Sequence, residues 1–144
     1  SAEPRETMDP LSWRSSIETG HPVLDSQHRR LFGMCNELIK AVLADRPRQD
    51  IGLMLDELID HVAGHFQIEE QILAEFKHPL LAEHRALHQS LLEKAHGLMA
   101  LFEQGKVPVG EAVGFMAYTL VLEHTVKDDQ RFAGDVIPRK TAQP

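Results

Sequence analysis

At 144 residues, 42% of them hydrophobic and 26% charged, the chain is long enough for one compact domain with a sizeable core and leaves little room for a second. A net charge of −7 with no basic run argues against a nucleic-acid groove, and no apolar stretch reaches the roughly 18 residues of a membrane span. Cys35 stands alone, so neither an internal disulfide nor a cysteine-based zinc site is available, while nine histidines are an excess in need of a role. Ser1 to Pro10 is polar and lacks the charged-then-apolar pattern of a secretion signal, so a cytoplasmic location is expected.

Residues 1–24, with Trp13, Ile17, Pro22 and Val23, read as an N-terminal arm lying against the domain that follows. A first helix is expected from about Asp25 to Leu43, where His28, Leu31, Phe32, Cys35, Leu38, Ile39 and Val42 recur at helical spacing. The second runs from about Asp50 to Phe76, with Met54, Leu58, Val62, His65, Glu69, Ile72 and Phe76 along one face. The third starts at Pro79, a favourable first-turn residue, and carries His84, Leu87, His88, Leu91, Ala95, Leu98 and Phe102 to about Glu103. Gly105 and Pro108 mark a turn before a fourth, Val109 to Phe132, with Val113, Met116, Leu120 and His124 aligned. No segment alternates as a strand would. The expected fold is all-α, an antiparallel up-down four-helix bundle over residues 25–133 with an extended N-terminal arm. Residues 134–144 read as a flexible polar tail or linker stub.

Histidine falls on the inward stripe of every helix. His65 and Glu69 are separated by four residues, a rotation of only about 40°, and His84 and His88 share that spacing. One such histidine is ordinary. Five, with carboxylates in register, would each cost on the order of 1–3 kcal/mol if left unpaired, together more than a marginal domain can bear. Metal ions would satisfy them at once. Five imidazoles and two carboxylates exceed one tetrahedral zinc, so two bridged metals fit better, with iron or manganese suited to nitrogen and oxygen donors.

Asp25-Ser26-Gln27-His28, His65-Phe66 followed by Glu69-Glu70, His84 with His88, and His124 with Asp129 resemble, in order, the four signatures of the hemerythrin family, in particular its bacterial hemerythrin-like domains. The resemblance runs from Trp13 to about Phe132 and includes the approach Gly20 to Leu24. It implies two non-haem irons with an oxo or hydroxo bridge. His84, His88 and His124 would hold one, His28 and His65 the other, and Glu69 and Asp129 would bridge both. Dioxygen, the implied partner, would bind end-on at the open position of the two-histidine iron. The resemblance favours Asp129 over Asp128 as the bridge, although Asp128 lies closer to the face of His124 in an ideal helix.

Two positions depart from the family pattern: Leu120 stands where tryptophan is frequent, and His61 where an aromatic is frequent. Leu31, Phe32, Leu58, His61, Phe66 and Leu120 are the expected lining of the oxygen pocket, His61 being a solvent-edge residue, a partner of His65 or a ligand. A carboxylate-rich ferritin-like di-iron enzyme is disfavoured by the histidine excess, and a zinc protease by the absence of His-Glu-x-x-His. The chain is therefore expected to bind rather than catalyse, for oxygen sensing, storage or transport. A redox or nitric-oxide sensor module and a di-iron peroxidase are the alternatives. The start at Ser1 and the proline-containing tail suggest a piece excised from a longer protein with a covalently linked signalling domain, although Met8 could be a native start.

Overall fold

Pro22 opens the first helix, three residues earlier than its apolar stripe suggests. Its ring supplies a helical φ at a position whose N–H has no partner inside the helix, and the His21 side chain accepts from Val23 N just ahead of it. The computed structural model describes residues 9–139, so the first eight residues of the expected arm and residues 140–144 of the expected tail lie outside it. Helix α1 spans Pro22–Leu43, α2 Arg48–Glu75 and α3 Leu81–Glu103. Pro79 sits in the turn before α3 rather than at its first residue.

The fourth helix, α4, changes winding along its length. It is α-helical over Val109–Gly114, π-helical over Phe115–Asp128, and closes in a 3-10 turn, Asp129–Phe132. One further 3-10 turn, Ser15–Ile17, lies in the arm, and no strand occurs among the described residues. α1 packs on α2, α2 on α3, and α4 on α1 and α3, the closed order of an up-down bundle.

The three α-helical C-termini close alike. Arg46, His78 and Lys106 each return their N–H to the carbonyl five residues back, with Asp45, Lys77 and Gly105 in the left-handed region. Only the last uses glycine. The other two accept a backbone cost of about 1–2 kcal/mol in exchange for satisfied helix ends.

The arm is held by polar anchors rather than by apolar contact alone. Asn36 accepts from Leu11 N at 2.8 Å and donates to Leu11 O at 2.9 Å. Buried Asp25 accepts from Thr19 N, Thr19 Oγ1 and Gly20 N at 2.7, 2.9 and 3.1 Å. Gly20 has φ +95°, and a Cβ there would meet Ile137 Cγ1 at 2.7 Å, so the turn into α1 requires glycine. Packing continues past the end of α4: Gly134 N donates to Thr19 O at 2.8 Å and Val136 is fully buried. Asp25→Ala strips the acceptor from the buried Thr19 N–H and hydroxyl, and from Gly20 N–H, and is expected to destabilise the chain by about 1–3 kcal/mol. The urea midpoint should fall with little change in slope.

Apolar side chains form two clusters. The larger contains Leu31, Phe32, Leu58, Val62, Phe66, Leu91, Leu120 and Val121 among others, and the smaller contains Leu24, Ile72, Leu73, Phe132 and Val136. Between Leu24 and Leu31 on α1 sits His28; between Val62 and Ile72 on α2 sit His65 and Glu69; between Val121 and Phe132 on α4 sit His124 and Asp129. The polar layer therefore crosses the bundle with a dry layer on either side.

Candidate metal centre

Each helix contributes to this layer through its winding. On α2 and α3 the four-residue steps His65 to Glu69 and His84 to His88 keep both side chains on one face. On α4 the step is five. An α-helix would turn Asp129 about 140° away from His124, but here Asp129 N–H bonds to the His124 carbonyl, an i→i+5 turn that stacks residues five apart. The π-winding is what puts Asp129 under His124, and sequence spacing alone did not reveal it. Asp128 lies to one side and accepts from His124 Nδ1 at 3.1 Å.

All seven expected residues meet, none more than 5% exposed. Two donor sets result: Glu69, His84, His88, His124 and Asp129, and His28, His65, Glu69 and Asp129, with the ligand atoms of each set within 4.8 Å of one another. Glu69 and Asp129 divide their oxygens between the sets. Glu69 Oε1 is 2.9 Å from His88 Nε2, 3.5 Å from His124 Nε2 and in contact with His84, while Oε2 is 3.3 Å from His65 Nε2 and 3.6 Å from His28 Nε2. Asp129 Oδ1 lies 2.9 Å from His84 Nε2 and 3.1 Å from His124 Nε2, and Oδ2 lies 3.0 Å from His28 Nε2.

Protein hydrogen bonds do not account for this cluster. Glu69 Oε2 and Asp129 Oδ2 are enclosed yet find no hydrogen-bonding partner, although His28 Nε2 lies 3.0 Å from Oδ2. His28 and His65 bring their Nε2 atoms to 3.0 Å, as do His88 and His124, and two such nitrogens can share only one proton. A cation in each set would satisfy every one of these atoms. Nitrogen and oxygen donors without thiolate suit iron or manganese.

The outward ring nitrogens are mostly held. His65 Nδ1 donates to Gln27 Oε1 at 2.7 Å and His88 Nδ1 to Glu70 Oε2 at 2.8 Å, whereas His28 Nδ1 has no partner. Gln27, Glu70 and Asp128 stood beside the motifs in sequence, but nothing in their spacing assigned them to particular rings.

The expected pocket residues spread out. Leu31, Phe32, Leu58, Phe66 and Leu120 are all buried in the larger cluster. Phe66 stacks face to face on His88 at 3.7 Å and edge-on to His124 at 5.0 Å, so it walls the three-histidine set. His61 is half-buried in a groove of about 450 Å³ between α1 and α2, shared with Gln27, Arg30, Leu31, Asp60 and His65, and lies 3.9 Å from Glu57. Trp13, expected only to lie against the bundle, comes within 6.4 Å of the His28 ring and packs edge-on to Phe32 at 5.4 Å. The sequence signal for this was a lone tryptophan in an arm otherwise poor in aromatics.

Charge in the metal-free cluster is set by two opposed effects. Burial disfavours the imidazolium form of His28 and His84, but Asp129 and Glu69 outweigh it and push both up to about 9. At His65 burial wins and the value falls. Burial also disfavours ionised Glu69, yet the surrounding histidines hold its carboxyl well below the ordinary range. Since His28 and His84 sit above their unfolded value of 6.5, the stability they contribute is present below pH 6.5 and lost as pH rises to about 9. Denaturation of the metal-free chain should therefore become easier across that window. Metal must displace the same protons, so its uptake should strengthen over the same range and release acid into weak buffer at pH 7. Uptake independent of pH there would contradict this charge assignment.

Residues 19–134 match the hemerythrin HHE cation binding domain. The chain is 29% identical over 126 residues to a bacteriohemerythrin of Stenotrophomonas maltophilia, covering 88% of this chain and 81% of that protein. It is 31% identical over 123 residues to a bacteriohemerythrin of Methylococcus capsulatus, covering 85% and 93%. The crystal structure of a wild-type hemerythrin aligns with a TM-score of 0.79 at 27% identity, over 90% of this chain and 99% of that one. No helix among the described residues is long and apolar enough to cross a membrane. In motif order, in fold and in the family match across most of its length, this chain belongs to the hemerythrin family.

Proposed function

We propose that the chain is a non-haem di-iron protein that binds dioxygen. His84, His88 and His124 would hold one iron, His28 and His65 the other, and Glu69 and Asp129 would serve both. The supporting observation is the division of the two carboxylates, each offering one oxygen to either histidine set. When bound, such a pair would supply electrons to dioxygen, and the set with four protein donors instead of five would leave it more room.

The chain's own part is to make that set selective and dry. Leu31, Phe32 and Leu58 belong to the apolar layer beside the histidines, where little water can reach. Trp13 extends the cover over His28 from the arm. Gln27 fixes the His65 ring and leaves Nε2 free to ligate. Phe66, stacked on His88, restrains the three-histidine side, whose five donors leave less room for a small ligand.

The test is the visible spectrum of the iron-loaded protein, reduced without oxygen and then exposed to air. A charge-transfer band that appears in air and disappears on deoxygenation is the expected result. Two irons per chain with no change on exposure would overturn dioxygen binding. Persistence of the band favours carriage or storage, and rapid decay favours sensing.

A further inference from the structure

The histidines of the two sets are backed by groups of different charge. In the three-histidine set, His88 Nδ1 donates to the Glu70 carboxylate at 2.8 Å and His124 Nδ1 to the Asp128 carboxylate at 3.1 Å. In the two-histidine set, His65 Nδ1 donates at 2.7 Å to Gln27, a neutral amide, and His28 Nδ1 has no partner. Glu69 and Asp129 serve both sets and cancel in the comparison.

A carboxylate behind an imidazole raises the basicity of the ligating nitrogen and adds negative charge near the metal, whereas an amide orients the ring and adds none. Both carboxylates are partly solvated, with 21% and 26% of their side chains exposed, and Arg85 Nε lies 3.2 Å from the other Glu70 oxygen. Solvent and Arg85 weaken the charge without removing it. The two-histidine set has no counterpart.

We propose that Glu70 and Asp128 are positioning residues that make the three-histidine set the more electron-donating half, so that the first electron to leave a reduced iron pair leaves from the ion held by His84, His88 and His124. This rests on the ligand assignment proposed above. With hexacyanoferrate(III) as one-electron oxidant, a diferrous pair becomes ferrous–ferric while the oxidant becomes hexacyanoferrate(II), and no protein bond forms or breaks.

The experiment is an anaerobic redox titration of the full iron-loaded chain, followed by Mössbauer and electron paramagnetic resonance spectra, in the native protein and in Glu70→Gln, Asp128→Asn and Gln27→Glu. The amide replacements keep an acceptor for the ring N–H, so a purely structural role leaves the potentials unmoved. The expected result is a first-electron potential raised by Glu70→Gln and by Asp128→Asn. Gln27→Glu should lower the second potential more than the first and narrow the gap between them. A first potential that ignores Glu70→Gln and Asp128→Asn but drops with Gln27→Glu would place the first oxidation in the other half and overturn the proposal. If the two amide variants lose iron, Gln27→Glu decides alone: a narrowed gap supports the proposal and a first potential lowered at least as much as the second overturns it. A native chain that holds no iron pair defeats the di-iron reading itself, and this inference with it.

Discussion

Glu69→Gln is expected to reduce bound metal from two ions per chain to at most one, because Glu69 is one of only two residues present in both donor sets. Its Oε1 faces three histidines and its Oε2 faces two, so no other side chain can replace it from where it stands. The metal-free protein should suffer as well. The charge of Glu69 helps keep His28 and His84 protonated, and neutralising it leaves buried imidazoles short of a partner. Breaking a buried ionic cluster in this way costs about 3–5 kcal/mol. Metal per chain by elemental analysis and a urea transition without metal measure the two effects separately. Two ions still bound in the variant would remove Glu69 from the bridge.

Neighbouring aspartates on α4 should behave very differently. Asp129→Ala is expected to abolish stoichiometric two-metal binding, since the two oxygens of this fully buried carboxylate lie against histidine nitrogens of different sets. Asp128→Ala should retain both ions but bind them more weakly, by about 10–100-fold, the usual effect of losing the group that orients a metal-bound histidine. The contrast follows from the i→i+5 turn that sets Asp129 beneath His124. Were α4 an ordinary α-helix, the order would reverse. Metal titrations of the two variants side by side settle which winding the protein uses in solution.

Much of the architecture was legible because it follows from periodicity. Apolar residues at three- and four-residue spacing identified all four helices, and the turn residues around Pro47, Pro79 and Gly105 separated them. Helix starts were less legible: α1 begins at Pro22, because a proline there and the His21 cap decide the first turn, not the apolar stripe. The four histidine motifs identified the family on sequence alone, and the match over residues 19–134 agrees.

Other features depended on contacts between distant segments. That Gln27 would meet His65, Glu70 would meet His88 and Trp13 would reach His28 is set by how helices and arm pack, which no local spacing encodes. His61, one turn before His65 and close to its face, lies in the groove between α1 and α2 beside Glu57 and belongs to neither donor set.

The division has a physical basis. Sequence by itself determined most of the side chains that are inward on each helix, since helical phase is a local property, and thereby most of the chemistry available to the core: five imidazoles and the Glu69 carboxylate. Only the tertiary structure decided how that chemistry is shared out. The π-wound stretch of α4 rotates Asp129 into the layer and leaves Asp128 to its side, and the close approach of four helices lets Glu69 and Asp129 each face two ways. Those outcomes rest on backbone hydrogen bonding and on packing across the bundle, where many weak preferences are resolved together.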